Sequence, residues 1–327
     1  MSQKENLTNV LNATQKMTTF SDLAEIWLQE KKMFFKESTI VKYQNIINLH
    51  LIPEFERYAL EEFTYDNLYQ FRTKLLRQRG RNGNGLSPKT VSDILSLLHS
   101  ILRHAKNHKI LIPAADFMMP VKQQKKKIRI FSINEQKRLF QYLKANCTYS
   151  NTGILLCLFT GLRIGEVCAL TWKDILLEEQ SLFVHQTMQR LQTDKNETKK
   201  TKVIISSPKS FCSIRYIPIP DEIFGILKSK QSPPEAFLLT GNASKYIEPR
   251  TLQYQFKKIL HECGIENANF HMLRHTFATR CIEIGFDLKS LSEILGHANT
   301  NITLNCYMHP SMDLKRKNMD KFSILFH

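Results

Sequence analysis

A basic segment divides this chain into two regions with different hydrophobic patterns. Residues 118–129, MMPVKQQKKKIR, contain a proline and a run of lysines, and their apolar residues show no regular spacing. Lysines this close together repel one another and favour an extended backbone. We therefore predict that a basic linker at 118–130 separates two domains.

The region before the linker has the pattern of an α-helical bundle. Apolar side chains recur at helical spacing in four segments, which begin at Thr19, Ser38, Asp66 and Ser87. Pro53 is predicted to end the second helix, because proline interrupts the hydrogen bonds of a helix interior. Four helices with short connections predict a compact helical domain at 19–117, after a flexible N-terminus at 1–18.

The region after the linker mixes helical and strand patterns. Helical segments flank an insert at 181–220, in which SLFVHQTM, KVIISS and IRYIPI have the β-branched and aromatic content of strands. The charged loop TDKNETKKTK separates the first two of these strands. We therefore predict a mixed α/β domain at 131–327 and a fold class that is mostly α with a small β-sheet.

The composition favours a protein that binds a polyanion. The 327 residues carry a formal net charge of +16, and such an excess of positive charge attracts phosphate polyanions. No apolar run is long enough to span a bilayer, and the N-terminus lacks the apolar centre of a secretory signal. The seven cysteines form no C-x-x-C pair, which argues against a zinc site or a disulfide framework and fits a reducing cytoplasm.

Two histidines and an arginine share one face of a predicted helix near the C-terminus. His271, Arg274 and His275 lie at positions i, i+3 and i+4, which are neighbours on a helix surface. Zinc proteases also contain His-x-x-x-His, but they need a glutamate directly after the first histidine, where this chain has Met272. Because the sequence indicates no third ligand, we expect this face to hold a phosphodiester rather than a metal ion.

A second arginine lies far upstream, in the segment FTGLRIGEVCALTW. Gly161 allows a tight turn before a helix, and Arg163 and Glu166 are one turn apart on that helix. Glu166 can therefore orient Arg163 without covering the side of the guanidinium that would meet a phosphate. The alternative is an ordinary surface ion pair, which is common on helices.

A histidine on a rigid corner and a tyrosine complete the set of reactive groups. Gly296 is predicted to cap the preceding helix, which places His297 at a fixed corner. Tyr307 has polar neighbours, whereas a core tyrosine usually lies in an apolar stripe. Phosphodiester cleavage by a side chain needs a nucleophile, proton donors and acceptors, and cations such as arginine that hold the phosphate oxygens. The sequence therefore predicts an enzyme that cuts and rejoins DNA.

These motifs resemble the tyrosine recombinase family, also called the phage integrases. The resemblance rests on TGLRIGEVCALTW, FHMLRHTFAT, LGH and CYMH, and on KESTIVKY, HLIPEF and LSPKTVSDILSLLHSILRHA in the helical region. It implies a two-domain clamp, in which a helical SAM-like core-binding domain and a mixed α/β catalytic domain hold specific sites of double-stranded DNA. It also implies a homotetramer on DNA that recombines through a Holliday junction, an accessory directionality factor, and a place in the bacterial cytoplasm with the nucleoid.

The resemblance assigns catalytic roles to five of the residues already singled out. Tyr307 matches the nucleophile that forms a 3′-phosphotyrosyl bond and frees a 5′-hydroxyl. Arg163 and Arg274 match the pair that binds the non-bridging phosphate oxygens. His271 matches the residue that assists proton removal, and His297 matches the second histidine, which forms a hydrogen bond with the phosphate.

The resemblance also implies a general acid and the absence of a cofactor. The segment SPKSFCSIRYIPI resembles the hairpin that carries the lysine of the family, which assigns Lys209 in preference to four other lysines of the insert, Lys195, Lys199, Lys200 and Lys202. Glu166 is assigned a supporting role beside Arg163. Neither a metal ion nor a nucleotide is required, because the bond energy is kept in the protein–DNA ester.

Further predictions concern DNA contacts, the C-terminal tail and rival functions. The basic residues predicted to contact DNA are Lys42, Lys89, Arg103, Lys125, Lys126 and Lys127. The tail MDLKRKNMDKFSILFH has apolar residues at helical spacing, and it either docks on its own domain or exchanges with a neighbouring protomer. The rival functions are a type IB topoisomerase, a DNA-binding regulator of the same fold that does not cleave, and, more distantly, a metal-dependent nuclease.

Overall fold

The protein consists of two compact units, one within residues 1–126 and the other within residues 127–327. The computed structural model describes residues 19–78, 80, 83–107, 110, 112–113, 116, 120–122, 129–193, 200–208, 210–297, 316 and 319–320. Most of the predicted linker at 118–130 and the whole of the predicted N-terminus at 1–18 lie outside these residues. Within them, no helix is long and apolar enough to cross a membrane.

The described part of the first unit is helical. In chain order its helices are α1 (Phe20–Lys32), α2 (Glu37–Ile46), α3 (Ile52–Phe55), α4 (Tyr65–Arg77) and α5 (Pro88–Asn107). Helix α1 begins at a capping box, in which Thr19 Oγ1 accepts a hydrogen bond from the backbone N–H of Asp22 and the Asp22 carboxylate accepts one from the backbone N–H of Thr19. The four helices predicted for this region are confirmed.

Four phenylalanines form the centre of the first unit. Phe20, Phe55, Phe63 and Phe71 are fully buried, and the ring centroids of their contacting pairs lie between 4.8 and 5.8 Å apart. All four of these pairs are tilted or edge-to-face, which is an arrangement that aromatic rings prefer. The apolar stripe of α5, which includes the fully buried Val91, belongs to the same hydrophobic core.

The prediction that Pro53 ends the second helix is wrong. The chain continues from α2 through a π-helical turn, Ile47–Leu51, into α3, and Pro53 lies in the first turn of α3. Proline is tolerated in the first turn of a helix, because N–H groups there have no partner within the helix. The π-helical turn breaks the regular hydrogen-bonding pattern immediately before Pro53, which creates such a position.

The second unit combines helices with short strands. Its helices are α6 (Ile133–Ala145), α7 (Tyr149–Thr160), α8 (Ile164–Ala169), α9 (Asp221–Lys228), α10 (Pro249–Glu262), α11 (His271–Glu283) and α12 (Leu288–Leu295). Its strands are β1 (Ile175–Leu176), β2 (Ser181–Val184), β3 (Thr187–Gln192), β4 (Thr201–Ser206) and β5 (Arg215–Pro218). The predicted fold class, mostly α with a small β component, is confirmed.

The strands form two small antiparallel sheets. Strand β2 lies between β1 and β5, whereas β3 pairs with β4. The segment SLFVHQTM, predicted as one strand, is therefore two strands that belong to different sheets. The break falls at His185, whose Nε2 lies 2.9 Å from Oδ1 of the buried Asp174, and this contact anchors the chain where it leaves the first sheet.

Helix α7 lies in the core of the second unit and leads directly to the candidate site. Nearly all of its side chains are buried, and at Gly153 a Cβ atom would lie 2.1 Å from a side-chain carbon of Leu239. The helix ends at Gly161, which adopts the left-handed conformation with φ of 66°. The predicted tight turn at this glycine is therefore present, and the core of the unit fixes the position of the chain just before Arg163.

Candidate active site

Arg163 and Glu166 form a closed pair at the start of α8. The backbone N–H of Arg163 donates to Glu166 Oε2 over 2.9 Å, and Nη1 of Arg163 donates to Glu166 Oε1 over 2.7 Å. Glu166 is only 3% exposed, whereas 36% of the Arg163 side chain is accessible. The carboxylate thus holds one side of the guanidinium from within the protein, while part of the Arg163 side chain stays accessible.

A second arginine shares the Glu166 carboxylate. Arg215 Nη1 and Nη2 donate to Oε1 and Oε2 of Glu166 over 3.2 and 3.0 Å, and Arg215 is itself 8% exposed. Burial alone would raise the pKa of Glu166, but the hydrogen bonds and positive charge of Arg215, together with Arg163, outweigh burial and lower it. Glu166 is therefore a carboxylate at neutral pH.

Arg274 is the most deeply buried of the three arginines. It is 3% exposed, and it donates through Nη1 to the carbonyl oxygen of Gly161 over 3.0 Å and through Nη2 to that of Leu295 over 2.7 Å. Its Nη2 also lies 2.7 Å from His297 Nε2. Because a guanidinium has only donors, His297 Nε2 is the acceptor, and the hydrogen of the neutral ring lies on Nδ1.

The corner that carries His297 is a Schellman motif. The backbone N–H of Gly296 donates to the carbonyl of Glu293, and that of His297 donates to the carbonyl of Ser292. Gly296 has φ of 64°, and a Cβ atom there would lie 3.0 Å from Arg215 Nη1. The predicted glycine cap is therefore present, and the carbonyl of Gly296 accepts a hydrogen bond from Arg163 Nη2 over 3.3 Å.

The histidines of the site are neutral near pH 7. Burial, followed by the charges of Arg274 and Arg163, lowers the pKa of His297 to about 4. Burial and the neighbouring His271 lower the pKa of His275 to about 4, and the rings of these two histidines meet edge to face at 4.5 Å. Loss of hydration, with the charges of Arg274 and Arg163, also lowers the pKa of His271.

The described site is built to receive an anion. The connected cluster contains three guanidinium groups, those of Arg163, Arg215 and Arg274, and one carboxylate, Glu166. An excess of positive charge fixed in partly dehydrated surroundings favours a bound phosphate. Across the residues that the structure describes, no group of three or more His, Cys, Asp or Glu side chains is arranged to hold a metal ion.

The structure brings together most of the residues predicted for catalysis. Arg163, Glu166, Arg274 and His297 belong to one hydrogen-bonded cluster. His271 is the first residue of α11 and lies one turn before Arg274. Two predicted catalytic residues, Lys209 and Tyr307, lie outside the described residues, as do Lys125, Lys126 and Lys127 of the linker. Most of the C-terminal tail lies outside them as well.

The three other predicted DNA-contact residues belong to the first unit. Lys42 on α2 and Lys89 on α5 are exposed, and both donate to the carboxylate of Asp93, over 3.2 and 2.7 Å. Arg103, also on α5, is exposed. The pKa of Asp93 is lowered by the hydrogen bond from Lys89, against a smaller effect of burial, and by Lys42.

Arg215 was not among the residues predicted from the sequence. Its signal was present but weak: in IRYIPI, the inward-facing positions of an alternating strand are occupied by Arg215, Ile217 and Ile219, all of which are buried. A charged residue at an inward position requires a buried partner. The partner, Glu166, is 49 residues away in the chain, so the sequence alone did not identify it.

Two sequence models of known protein domains match this chain. The sequence model of the phage integrase family matches residues 129–313, and that of the phage integrase N-terminal SAM-like domain matches residues 19–76. A tyrosine recombinase XerC-like protein of Caldanaerobacter subterraneus subsp. tengcongensis is 29% identical, over 97% of this chain and 86% of its own length.

Solved integrase structures share the fold. The Tn1549 transposon integrase in complex with a circular intermediate DNA superposes with a TM-score of 0.75 at 18% identity, over 93% of this chain and 99% of the other. A lambda integrase tetramer bound to a Holliday junction gives a TM-score of 0.64 at 15% identity, over 91% and 80% of the two chains. With a family match that spans more than half of its residues, this chain belongs to the phage integrase family, a class of tyrosine recombinases that break and rejoin DNA.

Proposed function

We propose that this chain is a site-specific DNA recombinase that cuts and rejoins DNA through a 3′-phosphotyrosyl intermediate. The observation that supports this most is the placement of Arg163, Arg274 and His297 in one cluster, with Glu166 enclosed behind Arg163. Two guanidinium groups can neutralise the non-bridging oxygens of a scissile phosphate as charge builds up on them. His297 would add a hydrogen bond to the same phosphate.

The chemical step is a transfer between two esters. The phenolic oxygen of Tyr307 attacks the phosphorus, a 3′-phosphotyrosyl bond forms, and the bond to the 5′-oxygen breaks. His271, neutral because its pKa is lowered, can accept the tyrosine proton, and Lys209 gives a proton to the departing 5′-oxygen. Attack by the 5′-hydroxyl of another strand reverses these steps and releases Tyr307.

The residues on both sides of Lys209 support its role as the general acid. Before it, strand β4 ends at Ser206, which pairs with Thr187, and Thr187 lies against Gly165 of α8. After it, the chain lies beside the corner formed by Gly296 and His297, because the carbonyl oxygen of Cys212 would be 3.1 Å from a Cβ atom at Gly296. Described residues on both sides of position 209 in the sequence therefore lie close to the candidate site, which supports the proposal.

The partners that we propose are specific DNA sites and further copies of this chain. The solved integrases that share the fold include one from a transposon bound to circular intermediate DNA and a tetramer bound to a Holliday junction. We propose that this chain acts in the same way, as a homotetramer that integrates or excises a mobile element. The helical domain at 19–117 and the catalytic domain at 131–327 would both contact DNA, and a directionality factor would be an accessory partner.

Covalent trapping tests the proposal. The full chain is incubated, in EDTA, with a library of nicked duplexes whose arms are randomised, so that the cleaved strand diffuses away and the covalent complex accumulates. We expect a protein–DNA band on a denaturing gel, and sequencing of the attached strands would give the site. The band should be absent for Tyr307→Phe, which retains the ring and removes the nucleophile.

Two matched results make the test specific. Tyr254→Phe removes another phenol, on α10, and should leave the band in place. A covalent band that persists in Tyr307→Phe would contradict the assignment of the nucleophile. A band that forms without EDTA but not in its presence would contradict the metal-free mechanism.

A further inference from the structure

Arg215 connects three parts of the active site. Its Nη1 and Nη2 donate to Glu166 on α8, its Nε donates to the carbonyl of Ile294 on α12 over 2.6 Å, and its Nη1 donates to the carbonyl of Ser213 over 2.9 Å. Ser213 belongs to the turn that follows Lys209, and Ile294 lies two residues before Gly296. One buried side chain thus joins the helix of Arg163, the turn after Lys209 and the corner of His297.

The Glu166 carboxylate is divided between two arginines. Oε1 accepts from Nη1 of Arg163 and Nη1 of Arg215, and Oε2 accepts from the backbone N–H of Arg163 and Nη2 of Arg215. Without Arg215, this buried negative charge would be balanced by Arg163 alone, and the two charges would cancel. With Arg215 present, the three groups together retain one positive charge.

We propose that Arg215 is a positioning residue that neutralises Glu166, so that the cluster around Arg163 keeps a net positive charge for the scissile phosphate. The same side chain holds the corner of His297 through Ile294. This inference rests on the function proposed above, since it assigns a role within the cleavage of DNA. Arg215 itself is buried, and this role requires it to contact neither the phosphate nor the nucleophile.

Packing restricts this position to arginine. The closest atoms to a Cβ atom at Gly296 would be Nη1 and Cδ of Arg215, at 3.0 and 3.1 Å, so the whole side chain lies directly under the corner. A lysine would bring the charge, but it has a single nitrogen and no planar fork. Its one nitrogen could not reproduce the bonds that Nε, Nη1 and Nη2 of Arg215 make to Ile294 and to both oxygens of Glu166.

Three variants test the charge argument. Arg215→Met keeps the aliphatic stem of the side chain and removes the charged guanidinium, Glu166→Gln removes the negative charge, and the third variant combines the two changes. We expect Arg215→Met to slow formation of the covalent complex by about 100-fold, the size of effect seen when one preorganised donor at a reacting phosphate or carbonyl is lost. The double variant should recover about tenfold of that loss, because a neutral amide no longer cancels Arg163.

Recovery by the second substitution separates charge from structure. If Arg215 were only a packing element, removal of Glu166 as well would take away further contacts and slow cleavage more. Thermal unfolding of the four proteins at neutral pH is measured beside the rates. The double variant should unfold at a higher temperature than Arg215→Met, since the latter leaves a buried carboxylate with too little positive charge around it.

The outcomes distinguish this inference from the proposed function. A wild-type rate for Arg215→Met, or a double variant that is no faster than Arg215→Met, would overturn the role of Arg215 while leaving recombinase activity intact. A wild-type protein that forms no Tyr307-dependent complex would overturn the proposed function. In that case, a higher unfolding temperature of the double variant than of Arg215→Met would still support neutralisation of Glu166 by Arg215. Equal unfolding temperatures would contradict it.

Discussion

Two carboxylates of this protein, one in each unit, bind a pair of cationic side chains in very different surroundings. In the second unit, Glu166 is 3% exposed and lies between Arg163 and Arg215. In the first unit, Asp93 lies at the surface and accepts hydrogen bonds from Lys42 and Lys89. Both carboxylates have a lowered pKa, but burial opposes the shift more strongly at Glu166 than at Asp93.

The difference in burial determines what each cluster can do. Inside the protein, charges are poorly screened, and removal of one member of a buried pair costs about 3–5 kcal/mol, so the buried cluster keeps a fixed geometry. At the surface, an ion pair contributes about 0–1 kcal/mol and is screened by salt. We therefore propose that the exposed lysines exchange their carboxylate for a DNA phosphate. The buried cluster around Glu166 suits the positioning of one phosphate. The exposed lysines at Asp93 suit weaker contacts with many phosphates along DNA.

The largest effect is expected when the buried cluster is broken at Arg274. Arg274→Gln would leave the carbonyls of Gly161 and Leu295 with weaker partners and would withdraw a positive charge from the phosphate. We expect covalent complex formation to fall by about 10³-fold. We also expect the free energy of unfolding to fall by about 3 kcal/mol, because two buried carbonyl groups lose their charged donor. Trapping gels and urea unfolding at neutral pH measure the two quantities.

Arg280→Gln is the matched control for Arg274→Gln. Arg280 lies on the same helix, α11, and its hydrogen bonds go to Gln136, Glu283 and the carbonyl of Phe131, away from the cluster. Its loss should lower stability without changing the cleavage rate of the folded protein. Equal losses of cleavage in the two variants would mean that the effect of Arg274 is a general loss of structure. The difference proposed between buried and exposed charges would then be wrong.

Local periodicity explains which parts of the site could be predicted. His271, Arg274 and His275 lie within two turns of one helix, so their common face follows from the sequence spacing. The glycine cap before His297 is likewise local. Arg215 depends on contacts with α8 and α12, which are far away in the chain, and no local rule brings these elements together. Whether the predicted residues carry out the assigned steps stays a prediction.

A change of pH tests the buried cluster at His297. The unfolded chain protonates this histidine near its ordinary pKa of about 6.5, whereas the folded protein does so only near 4. Between these values the unfolded state binds more protons, so stability falls as the pH is lowered from 6.5 to 4. We expect His297 to account for a loss on the order of 2 kcal/mol, after allowance for its partial exposure. Urea unfolding at several pH values measures this slope.

His297→Gln should flatten the pH dependence of stability. Glutamine keeps a hydrogen-bonding side chain and does not titrate, so the contribution of residue 297 disappears while that of His275 remains. His261→Gln, at an exposed position on α10, is the matched control and should leave the slope as it is in the wild-type protein. An unchanged slope in His297→Gln would show that burial and the neighbouring guanidinium groups do not keep this ring neutral.

The fold of the first unit was more predictable than that of the second. Helical spacing identified its helices, and the only marked error concerned Pro53, where a π-helical turn carries the chain past a residue that usually ends a helix. In the second unit, the division of SLFVHQTM between two sheets depends on non-local pairing with β4 and β5. The ion pair between Lys42 and Asp93 could not be foreseen either, because 51 residues separate the two.

The smallest and most salt-sensitive effect is expected at the exposed lysines. Reversal of both charges, in Lys42→Glu with Lys89→Glu, should hardly change stability but should weaken DNA binding and reduce the slope of log affinity against log salt by about two. Titration of a fluorescent duplex at several salt concentrations measures that slope. Lys74→Glu is the control, since Lys74 is also exposed and paired, with Glu54 at 2.8 Å, in the same unit. If Lys74→Glu reduces the slope by as much per charge, the effect reflects net charge alone, and Lys42 and Lys89 form no defined phosphate contacts.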